Sequence, residues 1–466
     1  MMTYDADKVK KIKSVTLFGL LPYIRLFRSN PLEGFTRLTK KKGDFFKISL
    51  FGQELYFVNK PEYIEHILKE NYLNYPRAHT LEPFADLLGE GLFRSEDELW
   101  KKMQKTLRPA FHQKQIQQYF TTIVEEATDF WEQNFPLQEK STVANIELEM
   151  KRLTLKVSSR LLLSPQLEIN TDPVIDALSD IMESADLAHH TRHKLKVALS
   201  RTLPLNRKTP RIVREAFDYL QGLAQQILEE FFTKEAEKGV FLQLLYDAYK
   251  AGEINVDQAV HEIKTMFFAS FDTVAGGLTW ALYSIDKVPG LRKRLEEEVD
   301  LVFPDGTIQM DDLPKLKLLT QTIKESLRLY PPAWSFHRVS LREDIIDGYV
   351  IPRNAWLMIS PFTLHRNETL WPEPEKFDID RFANEDDSLP VRYDYLPFGQ
   401  GPHICIGNRL ALFEMTIILA TILQRSRISF RLKGKPVFKS FAILQSTELI
   451  LNTISSRQGR KAAPKK

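Results

Sequence analysis

The chain has 466 residues, 43% of them hydrophobic, enough to bury a large core together with a cofactor. Its formal charge of +3 gives no case for a nucleic-acid partner, and its single cysteine, Cys405, excludes an internal disulfide and suits a reducing compartment. Length alone predicts two or three domains.

In chain order, the apolar run 15–27 is short and interrupted by Pro22 and Arg25, so it does not read as a bilayer span, and no signal-peptide cleavage pattern follows it. With Lys8, Lys10, Lys11 and Lys13 ahead of it the run is amphiphilic; packing onto the domain is the favoured use, and a peripheral membrane contact is the other. Alternation at 44–50 and 54–58 predicts two strands paired around Gly52, after which Pro61 opens a helix. Amphipathic helices are expected from about 126 to about 233, with breaks near Ser164-Pro165 and at 203–206.

A long apolar helical stretch from about 255 to about 286 contains Met266-Phe267-Phe268-Ala269-Ser270-Phe271-Asp272-Thr273-Val274-Ala275-Gly276-Gly277. An acid beside a hydroxyl in such a helix needs partners, because burying either one unpaired costs about 1–3 kcal/mol. Further on, Glu325 and Arg328 are three apart, on one face of a helix that Pro331 ends, and Phe377-Asp378-Ile379-Asp380-Arg381-Phe382 follows. Cys405 then closes Phe398-Gly399-Gln400-Gly401-Pro402-His403-Ile404-Cys405-Ile406-Gly407 at the start of a helix-like run. Glycines at 399, 401 and 407 allow tight turns and close approach to a flat ligand, and unpaired amides opening the helix are expected to favour thiolate over thiol. Strands at 428–432 and 448–452 end the folded region, and 456–466 is a polar, basic tail expected to be disordered.

The spacing Phe398-x2-Gly401-x3-Cys405-x-Gly407, preceded in order by Glu325-x-x-Arg328 and the Arg381 segment, resembles the cytochrome P-450 family over nearly the whole chain. The resemblance implies a mainly α fold with small β-sheets: one domain at 43–455, the segment 1–42 packed on it without a transmembrane helix, and the tail 456–466. It implies haem with Cys405 as axial thiolate, enclosed by Phe398, Gly401, His403 and Gly407. Glu325, Arg328 and Arg381 would form a structural cluster beneath the haem. Ala269, Asp272 and Thr273 would lie on the oxygen-binding helix, the last two managing protons as general acids. Trp100, Gln104 in the place of a usual arginine, Arg338 and His403 would hold the propionates, with Lys101 or Lys105 contributing. Ser270 replaces the usual glycine and Val274 a frequent hydroxyl. Ser270 is expected to open the helix by a hydrogen bond to the carbonyl four residues earlier.

The function implied is that of a soluble, bacterial-type, cytoplasmic and monomeric haem-thiolate monooxygenase. It would hydroxylate a small apolar substrate such as a fatty acid or terpenoid with O2. No reductase module follows Cys405, so electrons would come from a separate ferredoxin or flavodoxin and its reductase. The family's pocket-lining segments fall on 80–93, 187–211, 267–273, 332–336 and 438–446, with Phe84, Leu87, Leu88, Phe93, Phe267, Phe271, Trp334, Phe441 and Ile443 as candidates. The break at 203–206 would be a lid, flanked by His189, His190 and His193, which lack the thiols and carboxylates of a second metal site. Arg77 would meet a carboxylate at the channel mouth, or solvent. Two rivals are a peroxygenase of the same fold, which usually lacks the acid-threonine pair, and a haem-thiolate sensor, which would carry an output module.

Overall fold

The computed structural model describes residues 10–50, 52–77, 84–134, 145–189, 211–233, 237–383, 392–430, 438–440, 443–446 and 451–457. Side chains set the elements locally. Asn145 and Asn255 cap the helices Ile146–Ser158 and Val256–Phe271 by accepting the Leu148 and Gln258 N–H groups, and Pro61 occupies the first turn of Pro61–Glu65. The chain is mainly helical with small sheets, as the resemblance implied.

The largest sheet is formed by β1 (Lys13–Val15), β2 (Phe45–Leu50), β3 (Gln53–Val58), β4 (Phe336–Val339) and β5 (Trp356–Ile359), in the order β1-β2-β3-β5-β4. β2 and β3 make the expected hairpin, pairing Phe45 with Val58 and Leu50 with Gln53, with Gly52 left-handed at φ 76°. β1 joins the edge in parallel, so the segment before Gly43 contributes a strand. Val15 and Leu20 are buried, but Leu17, Phe18, Leu21 and Ile24 are exposed, Phe18 by 80%, so the apolar run packs on the domain only in part. Among the described residues no helix is long and apolar enough to cross a membrane.

The helical core is built round one axis. Helices Val256–Phe271 and Thr273–Lys287 are two halves of one central helix, capped by Asn255 and interrupted at Asp272. Helices Ile146–Ser158, Lys317–Leu329 and Asn408–Arg425 pack against it, so Lys151, Glu325 and the start of the cysteine helix are positioned relative to the same element. A π-helical turn, Ser159–Leu163, ends at the Ser164-Pro165 break. The 203–206 break, His190, His193, Phe441 and 458–466 lie outside the described residues, as do the side chain of His189 and part of 80–93.

Candidate active site

The cysteine loop closes on itself: Cys405 N–H donates to the Phe398 carbonyl at 3.0 Å and Ile404 N–H to that of Gly401 at 3.1 Å. Gly399 and Gly401 are left-handed, at φ 68° and 77°. Gly401 meets protein rather than ligand, since a methyl group there would lie 2.0 Å from the Leu68 carbonyl oxygen. Gly407 caps the helix Asn408–Arg425, and its amide donates to the sulfur. The expected preference for thiolate is corrected: burial pushes the Cys405 thiol up, and the one amide opposes it only in part. Even so, Cys405 remains exposed, so the sulfur faces open space inside a region dense enough to desolvate it.

The central helix breaks where its sequence is polar. Thr273 Oγ1 donates to the Ala269 carbonyl at 2.7 Å, and the Phe271 carbonyl accepts the Thr154 hydroxyl at 3.1 Å from the helix Ile146–Ser158 behind it. Asp272, buried, turns to that same helix, where Lys151 Nζ lies 3.0 Å from Oδ1 and 3.1 Å from Glu147 Oε1. Ala269 is exposed and Thr273, one helical turn on, is half-buried, as is Ser270 beside Ala269. Ser270 does not bond a carbonyl; its hydroxyl reaches the Met266 sulfur at 3.7 Å. Phe271 packs under Lys151, its ring centroid 5.6 Å from Nζ, so it is a core residue, and Phe268 is the ring that meets Phe84 and Phe93 at 5.3 and 5.5 Å.

A second constellation surrounds His403. Its ring lies tilted over that of buried Trp100, centroids 4.1 Å apart, its Nε2 lies 3.7 Å from Glu96 Oε2, and its Nδ1 finds no hydrogen-bond partner among the described residues. Gln104 donates to the Pro402 carbonyl at 3.4 Å. Arg338 is buried, donates to the His337 carbonyl at 2.8 Å, and has no carboxylate in ion-pair reach among the described residues. Burial, then Arg77, pull its pKa down to about 9, a measure of how poorly the charge is compensated. His403 is pulled down to about 2, by burial first and then by Arg77 and Arg338. Arg77 is not at a channel mouth: its backbone N–H and Nε donate to Glu96 at 2.7 and 3.3 Å, and Nη2 donates to the Ser95 carbonyl. Lys101 pairs with Glu98 on the surface and Lys105 is exposed, so neither joins the group.

The third constellation is fully enclosed at Glu325 and Arg328 and half-buried at Arg381. Arg328 clasps Glu325 through Nε at 2.7 Å and Nη2 at 2.9 Å and donates to the carbonyls of His365, Pro374 and Lys376. Glu325 also accepts the Asp378 N–H at 2.8 Å, and Arg381 Nε lies 3.5 Å away while its Nη2 donates to the Pro372 and Glu373 carbonyls. His365 Nδ1 donates to the Arg328 carbonyl at 3.0 Å, and Nε2 accepts the Leu396 N–H at 2.8 Å. Burial lowers its pKa to about 3, so this neutral ring ties the Glu-Arg helix to the strand of chain leading into Phe398.

These groups suit haem. The lone Cys405 thiol, exposed at the start of a helix, is a donor that would suit a haem iron. Uncompensated Arg338 and the open Nδ1 of His403 fit its propionates. A mainly helical fold with a lone thiol facing internal space at a helix start, and a broken helix with an acid and a hydroxyl, defines the class of haem-thiolate oxidoreductases. The cytochrome P-450 family model matches residues 10–451, and the chain belongs to that family. It is similar to cyclooctatin synthase of Streptomyces melanosporofaciens, 28% identical over 83% of this chain and 83% of the relative. It is also similar to cyclooctat-9-en-7-ol 5-monooxygenase of that organism, 27% identical over 83% of each, and to the chloroplastic carotene epsilon-monooxygenase of Arabidopsis thaliana, 27% identical over 83% and 75%. The protein is a cytochrome P-450 monooxygenase.

Proposed function

We propose that Cys405 Sγ is the axial ligand of a haem and that the protein hydroxylates an apolar, terpenoid-like or fatty-acid substrate in the cytoplasm as a monomer, using electrons from a separate ferredoxin or flavodoxin and its reductase. The observation that carries the ligand assignment is the exposed, lone thiol in a desolvating surround. The substrate class draws on relatives named for carotene and cyclooctat-9-en-7-ol, and on the apolar rings Phe84, Phe93 and Phe268 beside the Ala269 face.

Bound haem supplies the oxygen-activating redox chemistry. Trp100, Gln104, Arg338 and His403 would hold its propionates; Phe398, Gly401 and Gly407 shape the loop that presents the sulfur; Ala269 would leave room on the facing helix. Asp272, held by Lys151, and Thr273 would relay a proton, with Thr273 Oγ1 as the group nearest the open face. Glu325, Arg328 and Arg381 fix the chain that leads to the loop and take no part in proton transfer.

The test is turnover of a panel of terpenoids, carotenoids and fatty acids with O2 and a surrogate ferredoxin and reductase, against hydrogen peroxide alone. Product only in the first arm is expected. Product with peroxide alone would make the protein a peroxygenase, and ligand-induced spectral shifts with no product in either arm would make it a sensor.

A further inference from the structure

Glu262 is buried on the first half of the central helix, and its two oxygens serve different elements. Oε2 accepts the Leu92 N–H at 3.0 Å and Oε1 accepts the Gln258 side-chain amide at 2.9 Å. Gln258 also donates to the Glu90 carbonyl at 3.0 Å, and Glu90 N–H donates to His261 Nδ1 at 3.3 Å. The backbone at 90–92 is thus tied to little more than one turn of helix. It comes this close because two glycines precede and interrupt it: a methyl group would lie 2.2 Å from the His261 ring at Gly89 and 2.1 Å from Thr265 Oγ1 at Gly91. The same segment carries Phe84 and Phe93, whose rings pack on Phe268, the neighbour of Ala269.

We propose that Glu262 is a positioning residue whose carboxylate latches segment 84–94 onto the central helix and so sets how open the wall of Phe84, Phe93 and Phe268 is to substrate. What that wall encloses rests on the monooxygenase reading above. The carboxylate form can accept both donors. In the acid form one oxygen becomes a hydroxyl donor facing an N–H, and one of the two bonds is lost. Burial outweighs the two donors and raises the pKa to about 7, so the latch is closed above that value and loosens as pH falls through it.

Other charged groups on the packed elements are bonded or at the surface; on Arg211–Thr233, Arg211, Arg214, Glu215, Asp218 and Glu229 are all exposed. On the helix of Glu262 itself, Lys264 donates to Gln221 of Arg211–Thr233 at 2.7 Å, Asp257 lies in the exposed first turn, and burial lowers the pKa of His261. Within the segment Arg94 pairs with Glu90. On Ile146–Ser158 the Lys151–Glu147 pair engages Asp272, and on Val240–Lys250 Asp247 accepts from Gln243 while Lys250 lies over Tyr246.

The experiment is amide hydrogen exchange at Leu92 and Glu90 of the haem-loaded protein at pH 8 and pH 6, corrected for intrinsic rates, alongside the Kd of an apolar probe from spectral titration. Wild-type protection at Leu92 should fall about tenfold on acidification, the loss of roughly one hydrogen bond, and the Kd should shift over the same interval. Glu262→Gln should show weak protection that does not change with pH. Equal pH dependence in both proteins would overturn the proposal, as would a pH response abolished by His261→Gln. If Glu262→Gln does not fold, Gln258→Leu decides: with one donor removed, the transition should move to higher pH, and an unmoved transition sinks the latch. Exchange is read without turnover, so failure here is distinct from failure of the monooxygenase reading.

Discussion

Lys151 Nζ lies 3.0 Å from Asp272 Oδ1, and both side chains are buried, so the acid at the break of the central helix is held from behind by a cation on another helix. Burial works against the ammonium, yet Asp272 and then Glu147 outweigh it and hold its pKa above the ordinary lysine value. Lys151→Met would leave Asp272 buried without its cation and should cost about 3–5 kcal/mol, read as a lower Tm. Adding Asp272→Asn should recover part of that loss. Unchanged stability in the single variant would show that the pair contributes nothing, and an unrecovered double variant would show that the loss comes from packing.

Glu325 and Arg328 are fully enclosed, and their bond is bidentate, whereas Arg381 approaches at 3.5 Å and leans on two carbonyls. Glu325→Gln should therefore yield poorly folded, haem-free protein, since Arg328 keeps a buried charge with no anion, a loss of about 3–5 kcal/mol. Arg381→Ala should cost clearly less. Haem content per chain and Tm check the order, and equal losses would contradict it.

What was legible in the sequence was whatever one local run spells out. The Cys405 loop, the Glu325-x-x-Arg328 spacing and the hairpin around Gly52 each need only neighbours in the chain. Lys151 gave no such signal: four residues after Glu147 on an amphipathic helix, it reads as a surface pair, and only packing brings Asp272 to it. Glu96 and Arg77 were opaque for the same reason, since Arg338 and His403, whose charge they act on, come from distant segments. Register inside the central helix was hidden by its composition. The run Met266-Phe267-Phe268-Ala269 is apolar at every position and offers no hydrophobic face to read, so Phe267 and Phe271 could not be told from Phe268, which is the ring in contact with Phe84 and Phe93.

Gly399 and Gly401 have nearly the same backbone but different surroundings. Gly399, at φ 68°, has nothing within 4 Å of an added methyl group, so Gly399→Ala should cost only the left-handed penalty of about 1–2 kcal/mol. Gly401→Ala adds a 2.0 Å collision with the backbone oxygen of Leu68, which no side-chain rotation relieves. It should displace the loop and remove the reduced carbon-monoxide absorption of a thiolate-bound haem. Retention of that band together with a Tm matching Gly399→Ala would show that the Leu68 contact can yield.

Arg338 gives opposite predictions for the two forms of the protein. Without haem, its guanidinium is buried with no carboxylate in ion-pair reach among the described residues, so Arg338→Leu should raise the stability of the apoprotein, because removing a poorly compensated buried charge is favourable. With haem, the proposed propionate role would give the same charge a charge-assisted hydrogen bond of about 1.5–3 kcal/mol, so the variant should lose haem roughly tenfold faster or more. Denaturant unfolding of the apoprotein and haem transfer to a scavenger globin measure the two halves separately. A variant destabilised in both forms would place Arg338 among ordinary structural residues, and one that keeps its haem as tightly as wild type would remove it from the propionate site.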